Sequence, residues 1–300
     1  MTRPCFAFLL GSLMAVALSV AAQQETATSK KSAEALQEQI PTANPGRPTV
    51  ATPATLTPVG YLQFETGYLG AWQSPEFSSQ SSFNEVVKFS LTRRIELLAG
   101  AEPFARSRVG NQTGNATGGV ALGVQGVVYR GEGARPTIAM SYLRAVHSGD
   151  VPDLDLGSPQ NALLFLASAD LKGFHYDANF FFNDVVNNAI HRAQFGQTLS
   201  VSHALVKKVG ISGEIWHFTQ PFLRSDVIGN LWALNYNARK NLVLDVGFSH
   251  GLTSTSTQWA VFTGFTYLLP HKLIPGSLLK TASRRQPIEA AHRRRDRIDW

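Results

Sequence analysis

The chain has 300 residues, 44% of them hydrophobic, with a net charge of +6 and a single cysteine. That length suits one large core or one membrane barrel, and Cys5 alone excludes a disulfide framework or a cysteine metal site. The charge is not the footprint of a nucleic-acid partner: it belongs to the stretch after His271, densest at Arg293, Arg294 and Arg295, while residues 23–270 sum to neutral.

Residues 1–22 read as a secretory signal peptide: Arg3, an apolar run over 6–20, then small residues up to Ala22. The run falls short of the ~20 apolar residues of a spanning helix, and no later stretch reaches that length. Residues 23–59 read as a polar periplasmic segment, in which Pro41, Pro45, Pro48, Pro53 and Pro58 keep the chain extended; whether it lies in the periplasm or reaches into a lumen is left open by the sequence.

The first strand, 60–72, sets the pattern. Leu62, Phe64, Thr66, Tyr68 and Trp72 fall on one face, and Gln63, Glu65, Gly67 and Ala71 on the other. A strand is expected over 83–91, with Glu85 as a misfit on its apolar face, and another over 95–101 after the turn Thr92-Arg93-Arg94. A Gly/Asn-rich loop is expected over 103–118. Strands at 119–129 and 137–143, 162–169 and 173–183, 196–205 and 209–218, and 228–236 and 242–250 flank short basic turns, and 258–269 is the last.

About twelve strands, with short turns on one side and long loops on the other, predict an all-β fold: a transmembrane antiparallel up-and-down barrel over 60–269, both termini in the periplasm. A soluble barrel or sandwich alternates in the same way, with its apolar face inward. The export signal, the cysteine-free mature chain, the loop asymmetry and the strand-end aromatics Tyr61, Trp72, Trp259 and Tyr267 favour the membrane.

With the apolar rows toward lipid, the lumen is expected to be lined by Gln63, Glu65, Lys88, Glu96, Gln125, His175, Asp177, Asn179, Glu214, Asn235 and Asp245. These residues either sort solutes or pair across a narrow lumen and stiffen the wall. Twelve strands lie between the eight-stranded barrels filled by side chains and the open sixteen-stranded porins. Catalysis is not expected: a barrel lipase would have to combine His250 with Ser249 or Ser254 and Asn235 or Asp245, and no nucleophile motif surrounds either serine. His175 and Asp177 share a face but lack a third metal ligand, so no metal or other cofactor is implied.

Residues 47–67 (Arg-Pro-Thr-Val-Ala-Thr-Pro-Ala-Thr-Leu-Thr-Pro-Val-Gly-Tyr-Leu-Gln-Phe-Glu-Thr-Gly) and 89–97 (Phe-Ser-Leu-Thr-Arg-Arg-Ile-Glu-Leu) resemble the phenol meta-pathway degradation family of outer-membrane transporters. Residues 171–179, around Gly-Phe-His-Tyr-Asp, and the closing pair over 238–267 are similar too. The resemblance implies a bacterial outer-membrane barrel passing small, aromatic compounds, and it carries no catalytic residues. The basic tail over 270–300 departs from the family, whose barrels end at the last strand. The expectation is therefore a passive outer-membrane channel for small organic solutes, with membrane lipid, solute and the barrel assembly machinery as partners. The alternative is a closed structural or adhesion barrel acting through its outer loops.

Overall fold

The computed structural model describes residues 40–152, 159–223 and 225–273. The expected signal peptide and the tail beyond residue 273 lie outside them. The strands are β1 (Leu62–Trp72), β2 (Ser79–Ser90), β3 (Ile95–Val109), β4 (Gln112–Ala116), β5 (Val120–Tyr129), β6 (Thr137–His147) and β7 (Asn161–Leu171). They continue with β8 (Phe174–Asn187), β9 (Ile190–Val206), β10 (Val209–Phe218), β11 (Val227–Arg239), β12 (Leu242–Gly251) and β13 (Trp259–Leu268). Among the described residues no helix is long and apolar enough to cross a membrane.

Consecutive strands pair antiparallel, except that β5 pairs with β3 in place of β4, and β1 pairs with both β2 and β13. Twelve strands therefore close into a barrel, which leaves no open edge in its wall. In β1, Gln63 and Glu65 are buried and point inward, while Tyr68 and Trp72 are exposed on the outside. The same holds around the wall: Phe83, Leu97, Phe180, Leu199, Trp232 and Phe248 are exposed outside. A continuous apolar belt of this kind far exceeds the few hundred Å² that water tolerates on a monomer, and hydrocarbon is the medium that accepts it. The outer rows thus face lipid, and the soluble alternative is excluded.

The two ends of the barrel differ. At one end the strands are joined by tight turns such as Lys172-Gly173 and Lys207-Lys208; Gly173 has φ +84° and Lys172 +52°, the left-handed pair that a two-residue hairpin requires. At the other end are longer connections over 73–78, 219–226 and 252–258.

The expected loop over 103–118 is largely a strand pair, and so is the stretch between the strands expected at 173–183 and 196–205. β3 runs on to Val109 and β4 folds back on it, pairing Val109 with Gln112 across a turn at Gly110 (φ +59°). Likewise β8 and β9 pair without interruption up to Asn187 and Ile190, through Asn188 and Ala189, both at positive φ. Beyond the hydrocarbon belt both faces of a hairpin are wet, so pairing continues where the apolar/polar alternation has stopped. Glu85 does stand on the outer face, opposite Thr66 and beside a bulge between Phe83 and Glu85.

The described part of the proline-rich segment, from residue 41 onward, runs inside the barrel. Its Ala54 belongs to the largest buried apolar cluster, with Leu164, Leu166, Phe181, Trp216 and Phe218 of the wall. Proline, frequent here, has no N–H to satisfy, and the wall supplies acceptors for much of the remaining backbone.

Candidate functional site

The inner wall and the segment it encloses make one hydrogen-bonded unit. The segment enters beside the β11–β12 turn, where the Ala43 N–H donates to the Lys240 carbonyl at 2.8 Å. Asn44 then pairs with Gln63 of β1: its N–H donates to Gln63 Oε1 (2.8 Å), and Gln63 Nε2 donates back to the Asn44 carbonyl (2.7 Å). The Gly46 N–H donates to Glu65 Oε1 at 3.0 Å.

From there the chain crosses to the far wall. Both oxygens of Glu214 on β10 accept backbone N–H bonds, from Val50 at 2.7 Å and Ala51 at 2.6 Å. Asn179 on β8 grips Thr52 twice, accepting its N–H (2.6 Å) and donating to its carbonyl (2.9 Å). Ser168 on β7 accepts from Ala54 N–H (2.7 Å), and Gln125 on β5 donates to the Pro53 carbonyl (3.0 Å). Glu96 on β3 then takes both the N–H (2.8 Å) and the hydroxyl (2.5 Å) of Thr57 before the chain turns into β1. The segment also clasps itself, Asn44 Nδ2 donating to the Thr55 carbonyl at 2.8 Å. The path is a circuit of the inner wall, closed at its neck.

Charge explains why these side chains are carboxylates and amides. A buried N–H left unpaired costs roughly 1–3 kcal/mol, and a bond to an ionised acceptor contributes more than a neutral one. Glu65 is itself neutralised by Lys88 of β2, Nζ to Oε1 at 2.6 Å, with both side chains nearly inaccessible. Asp245 on β12 accepts from Arg47 Nε (3.3 Å) and Nη2 (3.2 Å). That guanidinium lies flat against the wall at Gly67 and Gly264, which are paired across β1 and β13; a Cβ added at Gly67 would sit 2.2 Å from Arg47 Cζ. Only glycine leaves this slot open. Gly67→Val should therefore expel the guanidinium as effectively as Arg47→Ala, and both should raise the frequency of channel opening in bilayer recordings.

Of the eleven lumen residues expected from the sequence, Gln63, Glu65, Glu96, Gln125, Asn179, Glu214 and Asp245 bond the segment directly. Lys88 acts through Glu65, and Asp177 accepts from the Ser168 hydroxyl at 2.5 Å. His175 is not part of this grip. It sits between Asp170 (2.7 Å) and Asp177 (3.2 Å) at the rim of a cleft of about 330 Å³ at the turn end, which Asn235 also lines. A second cavity, of about 200 Å³, is lined by Arg47, Pro48, Val50, Trp216, Leu231 and Phe262. The pieces of a catalytic triad do not meet: the His250 ring packs on Trp259 at 4.3 Å on the outer face, while Asp245 on the inner face is held by Arg47. Sequence reasoning missed the segment's own contribution, above all Arg47, and on the wall it missed Ser168 and the Gly67/Gly264 slot. A lone arginine in a proline-rich stretch was the available signal.

No protein-family model matches the sequence, and none of the curated proteins does. The solved structures are more informative. The chain is similar to an outer-membrane channel from Pseudomonas putida F1, with 13% identity over 75% of this chain and 99% of that one and a TM-score of 0.55. The two chains share a fold. The KdgM porin (13% identity, 68% of this chain and 98% of that one, TM-score 0.48) and the NanC porin (10%, 69% and 100%, TM-score 0.48) also match. At these identities the likeness is one of fold.

Proposed function

We propose that this protein is a passive channel of the outer membrane for small organic solutes. The observation that carries the reading is a closed barrel with hydrocarbon-facing rows outside and an inner wall whose polar and charged side chains grip an enclosed stretch of backbone, beside an apolar cluster around Ala54. Hydrogen bonds between wall and segment can be exchanged for bonds to water at small net cost. The similarity to phenol meta-pathway transporters supports small aromatic compounds as solutes. Its leading run, residues 47–67, covers the inner segment from Arg47 onward and the first half of β1 up to the Gly67 slot.

The test is single-channel recording of the refolded protein in planar bilayers, with uptake of small aromatic acids by a strain lacking the gene. Discrete conductance steps and slowed uptake are expected. Silent bilayers together with unchanged uptake would overturn the reading. The segment's position also favours a second one, a filled barrel acting through its outer loops, for which silent bilayers and loop-dependent adhesion would be the result.

A further inference from the structure

The tight turns carry a charge pattern that permeation does not use. Lys and Arg outnumber Asp and Glu at each of them: Arg93 and Arg94, Arg130 and Arg135 around Glu132, Lys172, Lys207 and Lys208, then Lys240 beside Arg239. All of these cations are exposed. Among the described residues none of them is paired with a carboxylate; the Lys and Arg ion pairs, Lys88–Glu65 and Arg47–Asp245, are inside the barrel. The connecting loops at the opposite end hold Glu76, Asp150 and Asp226, and the exposed cations there, Arg106, Arg108, Arg144 and Arg192, are scattered along strand extensions rather than gathered at the turns.

Height matters as much as sign. The basic turns lie where the outward apolar rows stop, next to Ile95, Tyr129, Leu171, Val206 and Tyr236, each exposed on the outer wall. Long basic side chains placed there lay their stems along the apolar belt and lift their charges to its edge. Near that level the Lys272 ammonium stands 5.6 Å from the centre of the Tyr61 ring, and Arg130 is tethered to the Arg93 carbonyl at 2.6 Å.

We propose that this rim is a collar that binds the headgroups of negatively charged phospholipids in the leaflet it sits in. A soluble acidic partner would be met by a patch on one side. Here the cations recur at every turn around the circumference, at one level, which is the geometry of a headgroup plane. The attraction of a juxtamembrane cation to an anionic leaflet is short-ranged and salt-sensitive. The collar also gives the barrel a fixed depth and a preferred orientation. It does not depend on conductance: a silent barrel with the lipid preference would sink the channel reading alone.

The experiment is electron spin resonance of the full chain reconstituted in phosphatidylcholine, comparing spin-labelled phosphatidylglycerol with spin-labelled phosphatidylcholine in the motionally restricted shell. The wild type should favour phosphatidylglycerol several-fold. The preference should fall to within about twofold of none when Arg93, Arg94, Lys207, Lys208 and Lys240 are changed to Gln, and in the wild type at molar salt, where screening acts within ~3 Å. The salt arm stands if the variant fails to fold. A preference that survives both changes overturns the proposal. So does tight binding of soluble polyglutamate by the protein in zwitterionic bilayers without any preference between the lipids, which would assign the rim to an acidic macromolecule.

Discussion

Removal of residues 41–57 should raise the single-channel conductance several-fold and shift the selectivity toward cations. Both effects come from the same contacts. The segment crosses the lumen of a twelve-stranded barrel, and a wall of that size encloses more space than its own side chains fill. With the segment gone, Glu214 and Glu96 lose the N–H donors from Val50, Ala51 and Thr57, and Asp245 loses Arg47. Glu65 keeps Lys88. The exposed balance on the inner wall becomes negative, and a ring of carboxylates favours cations. Reversal potentials under a salt gradient measure the selectivity directly. Arg47→Ala should give a weaker form of the result, with more openings at the original conductance, because the remaining bonds still hold the chain across the lumen. If the shortened protein conducts as the full one does, the segment is not the barrier and the channel reading loses its gate.

The barrel was legible in the sequence because its cause is local. In β1 each residue's neighbour two positions on shares its face, so Phe64 against Glu65 states which medium each side meets. The same logic found the inward row without any knowledge of what fills the lumen. It failed where the medium stopped differing between faces: the paired stretches from Ala105 to Ala116 and from Asp184 to Ala193 lie beyond the apolar belt and carry no alternation to read. The enclosed segment was hidden for a different reason. Arg47 meets Asp245 at a separation of 198 residues, Val50 meets Glu214 at 164 and Thr52 meets Asn179 at 127, and neither periodicity nor propensity reaches across such distances. Prolines told correctly that the stretch is extended, but extension does not say where a chain lies. The alternation marks the acceptors for its backbone as inward-facing residues, but nothing local in the sequence marks the chain's own N-terminal stretch as their partner.

Val246→Arg and Asn235→Arg place the same charge on the two sides of one wall and should have very different outcomes. Val246 lies midway along β12, 54% exposed on the outer face, where an arginine side chain meets hydrocarbon at the centre of the belt. A charge at that depth costs about 2–4 kcal/mol, enough to slow insertion and lower the folded fraction substantially. Asn235 is on the inner face of β11, at the cleft of about 330 Å³ beside His175 and Lys207, where a guanidinium finds room and water. Its cost should stay within about 1 kcal/mol, as for a surface substitution away from any special contact. Urea titration of folding into vesicles, followed by the heat-dependent shift of the folded barrel on gels, measures both. The contrast tests the facing of the whole wall, since a slip of one residue in β11 or β12 exchanges the inner and outer rows. Equal losses at the two positions would mean that the outer face does not meet hydrocarbon, and the barrel would have to be a soluble one.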